Sequence, residues 1–201
     1  GFIEVNGKKI CVDTVCLEEE ACQVMERKDK QDVYNLSRLG ITLIEIATDA
    51  SIKSPEHAKE VASMLGMILR STENVKRGLG TIRQDVNISI KGGARTEVKG
   101  FQELKSIPKV IEFEVQRQLE EIKKGKKIEK TVRKAEPEFT TSYLRPMPGA
   151  ARMYPETDIL PIKIKESILK KIKLPELLSD KAAALTNKYK ISDSHAAEII
   201  K

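Results

Sequence analysis

The most constraining stretch of this chain is Ile82-Arg83-Gln84-Asp85-Val86-Asn87-Ile88-Ser89-Ile90. Its residues alternate so that Ile82, Val86, Ile88 and Ile90 share one face while Arg83, Asp85, Asn87 and Ser89 share the other, which is the pattern of a half-buried strand. Lys91-Gly92-Gly93-Ala94 follows as a turn, and Arg95-Thr96-Glu97-Val98-Lys99 runs back with Arg95, Glu97 and Lys99 on a common side. If the pairing register puts the two polar sides together, one sheet surface presents Arg, Asp, Asn, Glu and Lys to the same space. A surface of that chemistry suits a metal–phosphate site.

Other elements can be placed around this pair. Asn6-Gly7 is the strongest two-residue hairpin signal in the chain and separates Phe2-Ile3-Glu4-Val5 from Lys9-Ile10-Cys11-Val12. Thr42-Leu43-Ile44-Glu45-Ile46-Ala47 reads as a strand with Ile44 and Ile46 on one side and Glu45 alone on the other. Ser54-Pro55-Glu56 opens a helix, with a capping serine, a proline in the first turn and an acid at the positive end of the dipole. Ala58, Val61, Ala62, Leu65, Ile68 and Leu69 give that helix one apolar face. A second long helix is predicted from about Ile107 to Lys124, with Val110, Ile111, Val115, Leu119 and Ile122 inward. The proline-rich stretch from Tyr143 to Pro155 reads as a rigid loop, and residues 164–201 return to a Lys-rich helical pattern.

Composition narrows the class. The 201 residues are 33% charged and 40% hydrophobic, and no apolar run approaches the roughly 18 residues of a membrane-spanning helix. No signal peptide or anchor is read at the start, and a soluble cytoplasmic protein is expected. Cys11, Cys16 and Cys22 are odd in number and lack zinc-knuckle spacing, so free or buried thiols in a reducing compartment are expected. The net charge of +6 points to a polyanionic partner, although a basic run also describes a solvated face. With 4% aromatic residues, base stacking along a single strand is disfavoured, and any RNA contact would rest on phosphate and shape.

Neither a Walker A pattern nor a GxGxxG loop is present, so a bound nucleotide would be held by acidic residues and a sheet. Magnesium takes one or two carboxylates plus waters and substrate phosphates, and Glu18, Glu19 and Glu45 come from segments that could converge on it. Arg83 or Lys99 would then neutralise a transferred phosphoryl group. Each signal has a plainer reading. Glu18-Glu19-Glu20 equally describes a solvated helix edge, Glu45 a salt-bridge partner, and Arg83, Asp85, Arg95 and Glu97 cross-strand ion pairs. His57 and His195 lie on helical patterns, where surface or capping roles compete with ligation.

The order of the motifs carries more. Cys16-Leu17-Glu18-Glu19-Glu20-Ala21, the run Tyr34-Asn35-Leu36-Ser37-Arg38-Leu39-Gly40 leading into the Glu45 strand, Arg83-Gln84-Asp85-Val86-Asn87-Ile88-Ser89 and the stretch from Leu144 to Ile159 together resemble the B/E-type subunits of the Glu-tRNA(Gln) amidotransferases. The wording of Gly78–Asn87 and Arg145–Asp158 is similar to the archaeal E type. This resemblance implies an α+β fold, a glutamine-synthetase-like antiparallel sheet with packed helices forming a cradle over residues 1–162, with the beginning of a helical domain over 163–201.

It also implies a carbon–nitrogen ligase that uses ATP and Mg2+. The γ-carboxylate of glutamate esterified to tRNA(Gln) is phosphorylated, and ammonia from an asparaginase-like partner subunit displaces the phosphate. Glutamine would be the amido-N donor type, and neither membrane nor DNA is an expected partner. Carried onto this sequence, the metal-binding carboxylates fall on Glu19 and Glu45 with Glu18 adjacent. Arg83, Glu97 and Lys99 are added as catalytic residues, and Arg83 and Lys99 as nucleotide contacts, from the polar sheet face. A non-catalytic RNA-binding or assembly remnant, or another amide ligase on the same kind of sheet, stays open as an alternative.

The chain departs from the family pattern at Glu20, where Asp is usual, at Thr42, where Pro precedes Leu43, and at Ala50-Ser51, where Pro-Asp is usual. The resemblance further leads one to expect a family segment with Glu and His ligands ahead of Gly1, a domain inserted between Lys124 and Arg133, and most of the tRNA-gripping region beyond Lys201.

Overall fold

The computed structural model describes residues 1–72, 74–147, 160 and 162–200. It divides into two compact units, Gly1–Ser54 and Pro55–Lys201.

In the first unit, β1 (Phe2–Val5) and β2 (Lys8–Glu19) pair antiparallel across Asn6-Gly7, from Val5 opposite Lys8 to Phe2 opposite Cys11. Both turn residues have positive φ, 49° and 70°, as a type I′ turn requires and as Asn-Gly tolerates. A separate hairpin, β3 (Gln23–Lys28) with β4 (Gln31–Asn35), intervenes before β5 (Thr42–Thr48) returns antiparallel to β2. The acidic stretch is therefore the end of a twelve-residue strand and not a helix edge. Val5 and Ile10 are the buried residues of this unit, whereas Val15, Leu17 and Ile44 stay more than half exposed. Cys11, Cys16 and Cys22 are free, partly buried thiols.

The second unit carries the expected pair. β6 (Val86–Ile88) and β7 (Thr96–Lys99) are antiparallel, with Val86 opposite Val98 and Asn87 opposite Glu97. Ladder bonding covers less of the run than its alternation predicts, yet exposure still alternates from Thr81 to Ile90. After a 3-10 turn at Leu104–Ser106, α2 (Ile107–Lys123) crosses over to β8 (Thr131–Ala135), which lies parallel to β7; β9 (Thr141–Pro146) closes the order β6-β7-β8-β9. A parallel pair needs such a crossover, and α2 supplies it. The sheet is thus mixed, with one parallel pairing among antiparallel ones.

α1 (Pro55–Ser71) starts directly after Ser54 and packs with α2. Ile88, Val98, Ile107, Val110 and Ile111 form the core, with Ala58, Ala62, Val86 and Val115 against it. His57 is buried rather than at the surface. Beyond α3 (Glu166–Leu169), α4 (Leu178–Tyr189) docks on the end of α1, where the Leu178 N–H donates to Ser71 Oγ at 3.0 Å. α5 (Asp193–Ile199) is capped by Ser192, whose Oγ accepts from the His195 backbone N–H. Part of the stretch expected as a rigid loop, Tyr143–Pro146, is strand; the remainder from Pro148 to Pro155 lies outside the described residues.

The inward face of α2 differs from the apolar stripe expected. Leu119 is 40% exposed, and the positions facing the sheet are Glu114 and Gln118, both fully buried. Gln118 Nε2 donates to Thr96 Oγ1 at 3.1 Å and to Glu114 Oε1 at 3.1 Å, while its Oε1 accepts from the Ala94 N–H at 3.3 Å. This amide fixes the hairpin turn and the start of β7 to the helix. Gly93 is what admits it, because a Cβ there would collide with Gln118 Oε1 and stand 2.8 Å from Ile90 Cγ1. Gly93→Ala is expected to cost about 1–3 kcal/mol of stability in urea unfolding, from overpacking and disturbed amide bonds. An unchanged midpoint would show that the turn relaxes freely.

Candidate active site

Each unit offers one polar surface. In the first, the register of β2 against β5 places Cys16 opposite Glu45 and Glu18 opposite Leu43, with Leu17 opposite Ile44 between them and Glu19 opposite Thr42 one step beyond. Directly opposed residues share a face and alternate residues recur on it, so Glu18 and Glu45 stand on one side as diagonal neighbours, about 7–8 Å apart at the backbone. Glu19 stands on the other side, with Leu17 and Ile44. A Cβ placed on Gly40 would lie 3.8 Å from Glu19 Oε1, so this carboxylate reaches toward the Gly40 turn. The structure therefore joins Glu45 with Glu18 and separates it from Glu19.

Two carboxylates on one face are hard oxygen donors that match magnesium, which keeps several waters and needs few protein ligands. Among the described residues no three His, Cys, Asp or Glu side chains gather closely enough to form a complete protein cage. Glu18 and Glu45 fit a magnesium bound partly through water and phosphate oxygens, and do not fit a metal that needs a closed protein shell.

In the second unit the polar sides of β6 and β7 do come together. Lys99 Nζ pairs with Asp85 Oδ2 and with Glu97 Oε1, the latter at 3.0 Å, and Asn87 lies opposite Glu97. Burial alone would push the Lys99 ammonium down, but hydrogen bonds and charge from Asp85 and Glu97 hold it above its ordinary value. Lys99 is therefore cationic throughout the neutral range, and the three-residue cluster carries one net negative charge. Arg83 is exposed in the unladdered stretch ahead of β6, and Arg95 turns aside, with Nε and Nη2 3.1 and 3.0 Å from Met147 Sδ. Of the residues read as cross-strand ion pairs, Asp85 and Glu97 both pair with Lys99, which that reading did not include, and Arg95 takes a different partner.

Sequence reasoning missed the buried polar group of this unit. Glu114 Oε1 accepts from Arg117 Nη2 at 2.6 Å, and Oε2 accepts from Arg117 Nε at 2.9 Å and Thr141 Oγ1 at 3.0 Å. Arg133 lies 3.4 Å from Oε2 and donates to the Thr141 hydroxyl and carbonyl, both at 2.7 Å. Burial pushes the Glu114 carboxyl up, yet the bonds from Arg117, Gln118 and Thr141 and the Arg117 charge outweigh it and hold the group below the usual carboxylate value. The available sequence signal was the repeat of polar Glu114 and Gln118 in step with Ile107, Val110 and Ile111.

The family model for the GatB/GatE catalytic domain matches residues 1–170. Among curated proteins, the chain is 58% identical to the E-type glutamyl-tRNA(Gln) amidotransferase subunit of Archaeoglobus fulgidus, covering 90% of this chain and 50% of that one. It is 51% identical to the E-type subunit of Pyrococcus horikoshii over all of this chain and 53% of the relative, and 32% identical to that of Methanocaldococcus jannaschii over all of this chain and 54% of the relative. The chain belongs to the GatB/GatE family, with archaeal E-type subunits among its relatives, as its motifs indicated. It spans about half the length of these relatives. The Pyrococcus horikoshii match extends over 337 residues and takes in the 201 of this chain, so that relative holds residues without a counterpart here. No helix among the described residues is long and apolar enough to cross a membrane.

Proposed function

We propose that this chain is part of the carboxylate-activating subunit of a tRNA-dependent amidotransferase, which phosphorylates the γ-carboxylate of glutamate on tRNA(Gln) and lets ammonia from a partner subunit displace the phosphate. The name its relatives carry, together with family membership over residues 1–170, supports the substrate and the reaction class. The carrying structural observation is the shared face of Glu18 and Glu45.

Glu18 and Glu45 would hold Mg2+, which when bound supplies charge neutralisation of ATP oxygens. Lys99, held charged by Asp85 and Glu97, is poised to exchange one carboxylate for a phosphoryl oxygen. Arg83, exposed in the stretch just ahead of β6, carries a guanidinium whose fork suits phosphate. Glu97 keeps Lys99 oriented. A carboxylate carbon carries no usable leaving group of its own. Transfer of the γ-phosphoryl group of ATP to one carboxylate oxygen, with ADP released, gives an acyl phosphate whose carbonyl carbon ammonia attacks, phosphate leaving and a proton being lost to give the amide.

Substrate choice tests the reading. An active assembly carrying this chain is expected to hydrolyse ATP in step with Glu-tRNA(Gln), and to form Gln-tRNA(Gln) when ammonia is supplied. Amidation of free glutamate or a small acid, with charged tRNA ignored, would overturn it in favour of another amide ligase.

A further inference from the structure

At the C-terminal end of α2 a cleft of about 260 Å³ is lined by Arg117, Glu121, Lys126, Lys127, Thr131 and Arg133, with Ile128 and Glu129 beside them. It lies wholly in the second unit and includes neither Glu18 and Glu45 nor Arg83, Asp85, Glu97 and Lys99. Two guanidinium groups meet there over one carboxylate. Glu114 is spent on a two-pronged pair with Arg117, and Arg133 gives its Nε and Nη2 to Thr141.

Among the described residues the Nη1 groups of both arginines take no hydrogen bond, although the side chains are only 24% and 14% exposed. Their forks are therefore fixed in advance with donor capacity left over. Burial and then the charge of Arg117 push the Arg133 guanidinium down, whereas Glu114 and Glu121 hold Arg117 above its ordinary value. On the outer wall Glu121 is matched by Lys124 and Lys126, at 3.3 and 3.0 Å, and Lys127 and Glu129 are exposed lining residues. The balance of the cleft is cationic.

A structural role explains the Glu114 contacts, since they tie α2 to β8 and β9. It does not explain why both arginines also line an open cleft with two lysines at its rim. We propose that this cleft is an oxyanion site that takes a phosphate group, supplied either by an RNA backbone or by a free phosphate. Fixed guanidinium forks match tetrahedral oxyanions, and flanking ammonium groups add attraction without demanding one geometry. The proposal is independent of the reaction assigned above.

The test follows the Arg117 and Arg133 Nε–H resonances of the labelled 201-residue chain during titration with inorganic phosphate, against sodium chloride at matched ionic strength. Saturable shifts of both resonances with phosphate alone are expected, weakened about tenfold or more in the Lys126→Gln/Lys127→Gln variant, whose exposed side chains leave folding intact. A short RNA stem-loop that displaces phosphate would assign the site to a phosphodiester, with binding that falls steeply as salt rises. An RNA that leaves phosphate bound would assign it to the free ion. Equal, unsaturated shifts in phosphate and chloride, or a double variant that binds phosphate as the parent does, would overturn the proposal.

Discussion

Glu114→Ala is expected to lower the unfolding free energy by about 3–5 kcal/mol, the range for removing one partner of a buried ion pair and stranding the other. Glu114 is fully buried and receives five contacts from Arg117, Gln118, Thr141 and Arg133, so its loss leaves two guanidinium groups facing each other and a Gln118 donor unmatched. Urea unfolding followed by far-UV circular dichroism measures the effect. Glu114→Gln keeps the shape and several acceptor contacts, and should fall between parent and alanine variant. A loss below about 1 kcal/mol in the alanine variant, the size of one ordinary hydrogen bond, would show that water enters and solvates both arginines.

The same group sets an acid limit. Its folded value lies below the ordinary 4.5, so its contribution is fully present above that value and disappears as pH falls through the lower folded one. Stability of the parent should therefore drop more steeply below pH 4.5 than that of Glu114→Gln, which has no carboxyl there to protonate.

Glu45→Gln is expected to reduce ATP-dependent activation of Glu-tRNA(Gln) by more than the roughly 10–100-fold that loss of a supporting partner costs a metal site, with tRNA binding near normal. The amide keeps the size of the side chain and removes the negative charge on which a hard cation depends. Because β2 and β5 put Glu18 on the same face, Glu18→Gln should weaken the magnesium dependence in the same direction, seen as a higher magnesium requirement for half-maximal rate. Glu19→Gln, on the opposite face, should change that requirement least. Turnover that survives Glu45→Gln unchanged would remove the metal assignment, and a Glu19→Gln defect exceeding that of Glu18→Gln would show that the functional register differs from the one described.

How far the sequence reached depended on whether a feature was local. The alternation from Ile82 to Ile90 survives as alternating exposure even where ladder bonding stops, because side-chain direction in an extended chain follows from the backbone alone. Asn6-Gly7 turned as expected for the same reason, since positive φ is a property of those two residues. The hairpin of β3 and β4 went unread, as its exposed strands lack the apolar alternation that marks one. β8 was hidden in a basic stretch, and its pairing with β7 depends on where α2 delivers the chain.

The sequence by itself determined the local periodicities, the two long helices, the polar face of Asp85, Asn87, Glu97 and Lys99, and the motif order that places the chain in its family. Only the tertiary structure decided that Glu18, rather than Glu19, shares a face with Glu45, because a one-residue change of register exchanges the two faces of a strand and no short-range pattern fixes that register. It also decided that Glu114 and Gln118 belong to the interior. Burying a carboxylate is favourable only when its partners satisfy it, and beside Arg117 on the same helix Glu114 relies on Arg133 and Thr141 from two strands that meet α2 after folding, while Gln118 relies on Thr96 from a third.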